Sequence, residues 1–282
     1  QELIQTVRQT GSLSGDRTGT GTIRKFAINR DLRFDLRERF PVPTTKKFAK
    51  KACFGEALWF INGGNSISSL KFHTFGDPQS AKNTIWCANY AKQGAELGYV
   101  DGYCGEVYGV NWRNFGASPG RPGVDQLQNV IDEIQNNPTS RRLVIYTVNP
   151  NPVNDPILPP CHDFFQFFVE DGFLDVDFHM RSVDTFLGLP FNIASYALIL
   201  MVVADICGLT PRFLTCALGD THIYNDHEKA VYEQMCRTPE DQPTRLVFPK
   251  VEHLDELIDW VADDFELIDY EPQDAIKAPM SA

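Results

Sequence analysis

Apolar positions recur at helical spacing in residues 2–9 (ELIQTVRQ), a pattern that Gly11 stops before the loop SGDRTGTGT. Residues 22–34 (TIRKFAINRDLRF) alternate enough to predict a strand. Residues 47–62 (KFAKKACFGEALWFIN) return to helical spacing and end at Gly63-Gly64, a stop signal. Residues 76–120 read as loop-rich with scattered aromatics. An amphipathic helix is predicted over 124–136 (VDQLQNVIDEIQN), closed by Asn137-Pro138, and a strand over 142–148. Residues 164–169 and 173–180 read as a hairpin turning at Asp171-Gly172. A long apolar helix is predicted over 193–209 (IASYALILMVVADICGL). Ser195, Tyr196 and Asp205 interrupt it, so a core helix suits it better than a membrane span. A short strand over 215–218, a helix over 226–235 and late strands over 246–251 and 265–270 complete the pattern.

Strands and helices mix without strict βαβ alternation. That favours an α/β fold of α+β-like character, a mixed β-sheet with flanking helices, over a Rossmann domain. No linker divides the chain, so residues 1–282 are expected to form one domain. A composition of 43% apolar and 22% charged residues supports a packed core and argues against wholesale disorder. The net charge of −11 argues against broad electrostatic binding to nucleic acid but leaves room for a local basic pocket. Seven cysteines without a CxxC pair make a disulfide framework or zinc knuckle a poor reading and suit a reducing compartment. The N-terminal segment lacks the apolar region of a signal peptide.

Several residues carry candidate chemistry. Cys161 follows two prolines in LPPCHDFFQFF. From these residues alone it reads either as a buried thiol or as a nucleophile whose thiolate needs nearby cations or donors. Adjacent His162 would point to the opposite face of a strand, which makes it a poor base for Cys161. Arg17, Arg141, Arg142 and Arg181, the last beside Ser182, could grip a phosphate with guanidinium forks and a hydroxyl, or be solvated surface arginines. Asp184, Asn192 and Ser195 are polar groups in an apolar stretch. An amide such as Asn192 suits a ligand edge with one donor and one acceptor, though a helix cap or a satisfied core group fits as well. His222 and Tyr224, two apart, share a face and could donate to a sugar hydroxyl. Glu56 is a lone acid in an apolar helix, where burial would raise its pKa, unless it lies on the helix surface. No histidine pair has metal spacing, so no metal is expected.

Together, DRTGTGT, TTKK, EALWFINGG, VYGVNWR, GVDQLQNVIDEI, NPTSRR, LPPCH-FFQFFV, RSVDTFLGLPFNIASYAL, GDTHIY-DH and the final YEP…IKAP resemble the thymidylate synthase family, in the family's order from Asp16 to the C-terminus. The resemblance implies a folate-dependent methyltransferase, a homodimer completed across its interface. Its substrate would be dUMP and its co-substrate 5,10-methylenetetrahydrofolate. Cys161 would add to C6 of the pyrimidine. Arg17, Arg181 and Ser182, with Arg141 and Arg142 of the partner copy, would hold the phosphate. Asn192 would read uracil, for which an amide fits better than it fits cytosine. His222 and Tyr224 would bind the 3′-hydroxyl, and Glu56 with Tyr108 would manage water and protons. Asp184, Trp86, Leu158, Gly188 and the C-terminal Ala282 would form the folate side. The resemblance also implies a cytoplasmic enzyme, including the host cytoplasm for a phage-type member.

Departures from the family pattern are His179-Met180 before Arg181, Cys87 after Trp86, and Tyr103-Cys104-Gly105-Glu106 before the VYG motif. Met-Arg-Ser resembles the related phage hydroxymethylases, in which water attacks the C5-methylene intermediate. Hydroxymethylation of dUMP is therefore the alternative reading. An inactive member that binds nucleotide or RNA is a remoter one.

Overall fold

The computed structural model describes residues 1–16, 19–25 and 31–280. Helix α1 (Glu2–Thr10) buries Leu3, Ile4 and Val7 along one stripe. It stops at Gly11, where a Cβ would lie 2.5 Å from the Val7 carbonyl oxygen, so only glycine fits. β1 (Ser12–Ser14) pairs antiparallel with β2 (Thr22–Lys25). The single strand predicted over 22–34 is instead β2 and β3 (Leu32–Asp35), with residues 26–30 outside the described part.

Helix α2 (Lys50–Ile61) is buried on all sides from Cys53 to its end, so it runs through the core. Residues 76–120 hold more helix than the scattered aromatics predict, and residues 67–75, for which no element is predicted, form a helix as well. α3 (Ile67–Phe75) is capped by the Ser66 hydroxyl, which accepts the Ser69 N–H, and ends at Gly76 with φ of 74°. α4 (Trp86–Asn89) runs into a π-helical turn, Tyr90–Gly94, and α5 (Tyr108–Arg113) follows. These pieces are too short for a readable period, and burial of Trp86, Tyr108 and Trp112 holds them. α6 (Gln126–Asn136) starts at Asp125, whose carboxylate accepts the Gln128 N–H.

β4 (Val144–Tyr146), β5 (His162–Glu170) and β6 (Phe173–Asp184) pair antiparallel. The β5–β6 turn places Asp171 and Gly172 at φ of 50° and 81°, both in the left-handed region that a tight hairpin needs. α7 (Gly188–Cys207) crosses over to β7 (Thr210–Tyr224), which lies parallel to β6. β7 is far longer than the predicted 215–218. β6 flanks one edge, while β2 and β3 share the other, so its polar and glycine positions are held by neighbours. The order is β1-β2-β7-β6-β5-β4, with β3 also on β7: a mixed seven-stranded sheet with flanking helices. α8 (Glu228–Met235) and a small antiparallel pair, β8 (Arg245–Val247) and β9 (Glu266–Ile268), follow.

Phe165, Phe167, Val176, Phe178, Met180, Leu214 and Cys216 are buried on one face of the sheet, in the same core as α2 and α7. α7 is long and apolar enough to cross a membrane, yet 72% of its apolar window is buried inside the protein, as expected of a core helix. The register of β5 against β6 shifts between His162 and Phe164, a local irregularity that lets both His162 and Phe165 point into the core.

Candidate active site

The ends of β5, β6 and β7 and the start of α7 face α2 and α4 across a cleft of about 940 Å³. Cys161 sits at the mouth of β5. Its backbone N–H donates to the Tyr108 hydroxyl at 2.7 Å, and its carbonyl accepts the Arg181 N–H at 2.9 Å. The Arg181 side chain folds over the approaching loop, donating from Nε to the Pro160 carbonyl at 2.7 Å and from Nη2 to that of Pro159 at 3.2 Å. Burial pushes the Cys161 thiol above its ordinary pKa. The Arg181 guanidinium and hydrogen bonds from Tyr108 and Ser182 pull it back toward the thiolate, while Asp184 adds to the rise.

His162 is buried and its Nδ1 hydrogen-bonds the Tyr196 hydroxyl at 2.8 Å. Burial lowers its pKa to about 3, so the ring is neutral. The sequence expectation that it is no base for Cys161 agrees with this environment, but the strand argument does not apply. Cys161 precedes the first residue of β5, and both residues line the cleft. The Tyr196 bond and the loss of charge on burial are the physical grounds. His162 also stacks on Tyr108, with ring centroids 4.1 Å apart.

Glu56 is 7% exposed, within α2 rather than on its surface. Burial raises its pKa to about 7, and a hydrogen bond from the indole N–H of Trp86 works against that rise. Trp86 meets the Tyr108 ring edge-on. A run of contacts therefore links Glu56, Trp86, Tyr108 and Cys161.

Asp184, at the end of β6, accepts the N–H groups of Phe186 (3.0 Å), Leu187 (3.2 Å) and Gly188 (3.3 Å). It thus caps the start of α7 while lining the cleft. Gly188 and Asn192, within the first turns of α7, also face the cleft, as do Ser182 and Leu158. Ser195 does not: its hydroxyl meets the Cys53 thiol at 3.3 Å in the core. His222 and Tyr224 sit on the last residues of β7, both on the cleft, with ring centroids 5.1 Å apart. The C-terminal segment crosses the opening through Ile276, Ala278 and Met280. It is held by His227, whose Nε2 donates to the Pro279 carbonyl at 2.7 Å.

Arg141 and Arg142 are exposed before β4 and do not line this chain's cleft. Arg17 and Ala282 lie outside the described residues. The sequence reading did not assign Phe60, Asn89, Phe191 or Asp220, all of which line the cleft. Asn89 lies three residues after Trp86 on α4, so a helix at 86–89 would have placed both on one face. Among the described residues, no group of three or more His, Cys, Asp or Glu is placed to hold a metal.

The profile of the family described as Thymidylate synthase matches residues 1–282. The chain belongs to the thymidylate synthase family. Membership makes it a one-carbon transferase of the methyltransferase class. It is 44% identical to "Probable thymidylate synthase" of Escherichia phage T5, over 100% of this chain and 98% of that protein. It is also 44% identical to "Thymidylate synthase" of Enterobacteria phage T4, over 86% and 81%. The crystal structure of thymidylate synthase from T4 phage superimposes with a TM-score of 0.90 at 40% identity, covering 100% of this chain and 98% of that one.

The departures from the thymidylate synthase pattern have defined places. The Cys87 sulfur accepts from the Thr84 N–H and meets its hydroxyl, both at 3.3 Å. His179 Nδ1 is 2.6 Å from an Asp163 carboxylate oxygen. Met180 is buried in the core. None of the three is among the residues lining the cleft.

Proposed function

We propose that the chain is a single catalytic unit, residues 1–282, that methylates dUMP at C5 with 5,10-methylenetetrahydrofolate. The observation that carries this reading is Cys161 on the cleft wall between the Arg181 guanidinium and the Tyr108 hydroxyl, connected through Trp86 to a buried Glu56 that titrates near neutrality.

Arg181 and Ser182, with Arg17, hold the 5′-phosphate by charge-assisted bonds. Arg141 and Arg142 reach the site of the partner copy in a homodimer. Their exposure outside their own cleft supports that arrangement, as do the exposed Tyr146 and Phe168 on the sheet. Asn192 matches the carbonyl and N–H edge of uracil with its own donor and acceptor, and His222 with Tyr224 meets the 3′-hydroxyl. The Cys161 sulfur adds to C6, which makes C5 a carbanion-like centre. Glu56, protonated or ionised with similar ease near pH 7, orders water and moves protons at the base, with the Tyr108 hydroxyl beside it.

The residues present fit the co-substrate. At about 940 Å³, the cleft has room for a nucleotide and a second planar ligand. Trp86, Leu158 and Phe191 offer apolar walls, while Asp184 offers a carboxylate to an N–H edge. Bound methylenetetrahydrofolate supplies the one-carbon unit and, for a methyl product, the hydride. The C-terminal segment, through Ile276, Ala278 and Met280, covers this side and excludes water. The cytoplasm is the compartment this reading places it in.

The hydroxymethylase alternative rests on the Met-Arg-Ser sequence, in which the departure from the family pattern is Met180. That side chain lies in the core away from the cleft, so it does not control water at C5, which supports the methyl product. The test is incubation with dUMP and methylenetetrahydrofolate, followed by product mass and folate oxidation state. A methyl product with dihydrofolate is expected. A hydroxymethyl product with tetrahydrofolate would replace the methylation reading, and no tritium release from 5-tritiated dUMP would end both. Cys161→Ser should lose tritium release while binding dUMP within a few-fold of the native chain.

A further inference from the structure

The stretch 103–106, which departs from the family pattern, is joined bond by bond to the loop that delivers Cys161. The Cys104 carbonyl accepts the Ile157 N–H at 3.0 Å, and the Glu106 N–H donates to the Asn154 carbonyl at 3.1 Å. The Glu106 side chain, 8% exposed, then grips the loop from the inside. Its Oε1 accepts the N–H groups of Val153 (2.7 Å) and Asn154 (2.9 Å), and its Oε2 accepts the Asn149 amide at 3.3 Å. Gly105 has φ of 74°, and a Cβ there would lie 2.1 Å from the Asp155 carbonyl oxygen, so the two segments touch through backbone. Two residues past Glu106, Tyr108 takes the Cys161 N–H. One short segment thus holds the loop at both ends, through a buried carboxylate at 149–154 and a phenol at 161.

We propose that Glu106 is a positioning residue that fixes Cys161 and Tyr108 in register; the role rests on Cys161 being the nucleophile. A carboxylate accepting two backbone N–H groups makes charge-assisted bonds, and its removal takes from those donors the acceptor that ties the loop to this segment. The loop would then shift at the prolines before Cys161. A misplacement of about 1 Å at a reacting atom can cost on the order of 100-fold in rate. Glu106 does not line the cleft, so it acts through the loop alone.

The experiment compares Glu106→Ala, Glu106→Asp and Glu106→Gln with the native chain in two assays. The first is tritium release from 5-tritiated dUMP, read as kcat against dUMP affinity. The second is the pH profile of Cys161 alkylation by iodoacetamide, followed by peptide mass spectrometry with exposed Cys236 as internal control. Glu106→Ala should lower kcat by roughly tenfold or more with dUMP affinity within about threefold. It should also move the Cys161 alkylation midpoint, which a change confined to global stability would leave in place. Glu106→Gln keeps an acceptor oxygen and should recover most of both. Glu106→Asp, one methylene shorter, should resemble the alanine variant and replaces it if that variant does not fold. A folded Ala or Asp variant with native kcat and an unmoved midpoint overturns the proposal, as does a rate loss matched by lost dUMP affinity. If the native chain releases no tritium, the methylation reading fails, and the alkylation profile alone decides the role of Glu106.

Discussion

The Tyr108 hydroxyl accepts the backbone N–H of Cys161 at 2.7 Å, so a side chain from α5 fixes the residue at the mouth of β5. Tyr108→Phe keeps the ring stacked on His162 but leaves that N–H without its acceptor. An unsatisfied buried donor costs about 1–3 kcal/mol. Tritium release from 5-tritiated dUMP should fall about tenfold, and Tm by a few degrees. Native turnover in this variant would show that the bond has no part in aligning the thiol.

His162 is neutral because burial lowers its pKa to about 3. It therefore cannot form a thiolate–imidazolium pair with Cys161 at neutral pH. His162→Gln should leave the pH midpoint of Cys161 alkylation within about 0.3 units of the native chain, whereas loss of a true pair would raise it by more than about one unit. A rise of that size would restore the dyad.

Glu56 sets a pH dependence of stability with a definite sign. Burial raises its pKa from 4.5 to about 7. Between those values the folded chain holds a proton that the unfolded chain has released, so this group weakens the fold as pH rises through the window. Glu56→Gln removes the effect. Its stability relative to the native chain, measured by urea unfolding, should improve between about pH 5 and about pH 8 by up to about 3 kcal/mol. The same variant should lose most tritium release. An equal stability difference at both pH values would contradict burial as the cause.

In the proposed reading, Asn192, which lines the cleft, presents its amide to the carbonyl and N–H edge of uracil. Cytosine offers an amino donor and a ring acceptor, which a protonated aspartate would match. Asn192→Asp should raise the ratio of turnover on dCMP to turnover on dUMP by roughly 100-fold. An unchanged ratio would remove Asn192 from base recognition.

Much of the frame was legible in the chain. The stripe of Leu127, Val130, Ile131 and Ile134 marked α6, and Asp171-Gly172 marked the hairpin between β5 and β6. The shortest helices were not legible, because α4 and α5 hold too few residues to show a period and depend on buried aromatics for their stability. Most of β7 was hidden for a related reason. Pro211, Gly219 and Asp220 read as breaks locally, while strands on both edges keep the backbone extended.

The sequence by itself determined the family, the mixed sheet with its helices, and the candidate list around Cys161, because residue order and type are what its motifs record. The tertiary structure decided which candidates meet. It brought Glu56, Trp86, Tyr108 and Cys161 into one run of contacts, put Asp184 on the cap of α7, and left Arg141 and Arg142 outside the chain's own cleft. It also replaced the strand argument against His162 as a base with burial and a bond to Tyr196. Distance, desolvation and hydrogen-bond partners set what an ionisable group does, and those arise only when segments far apart in the chain are packed together.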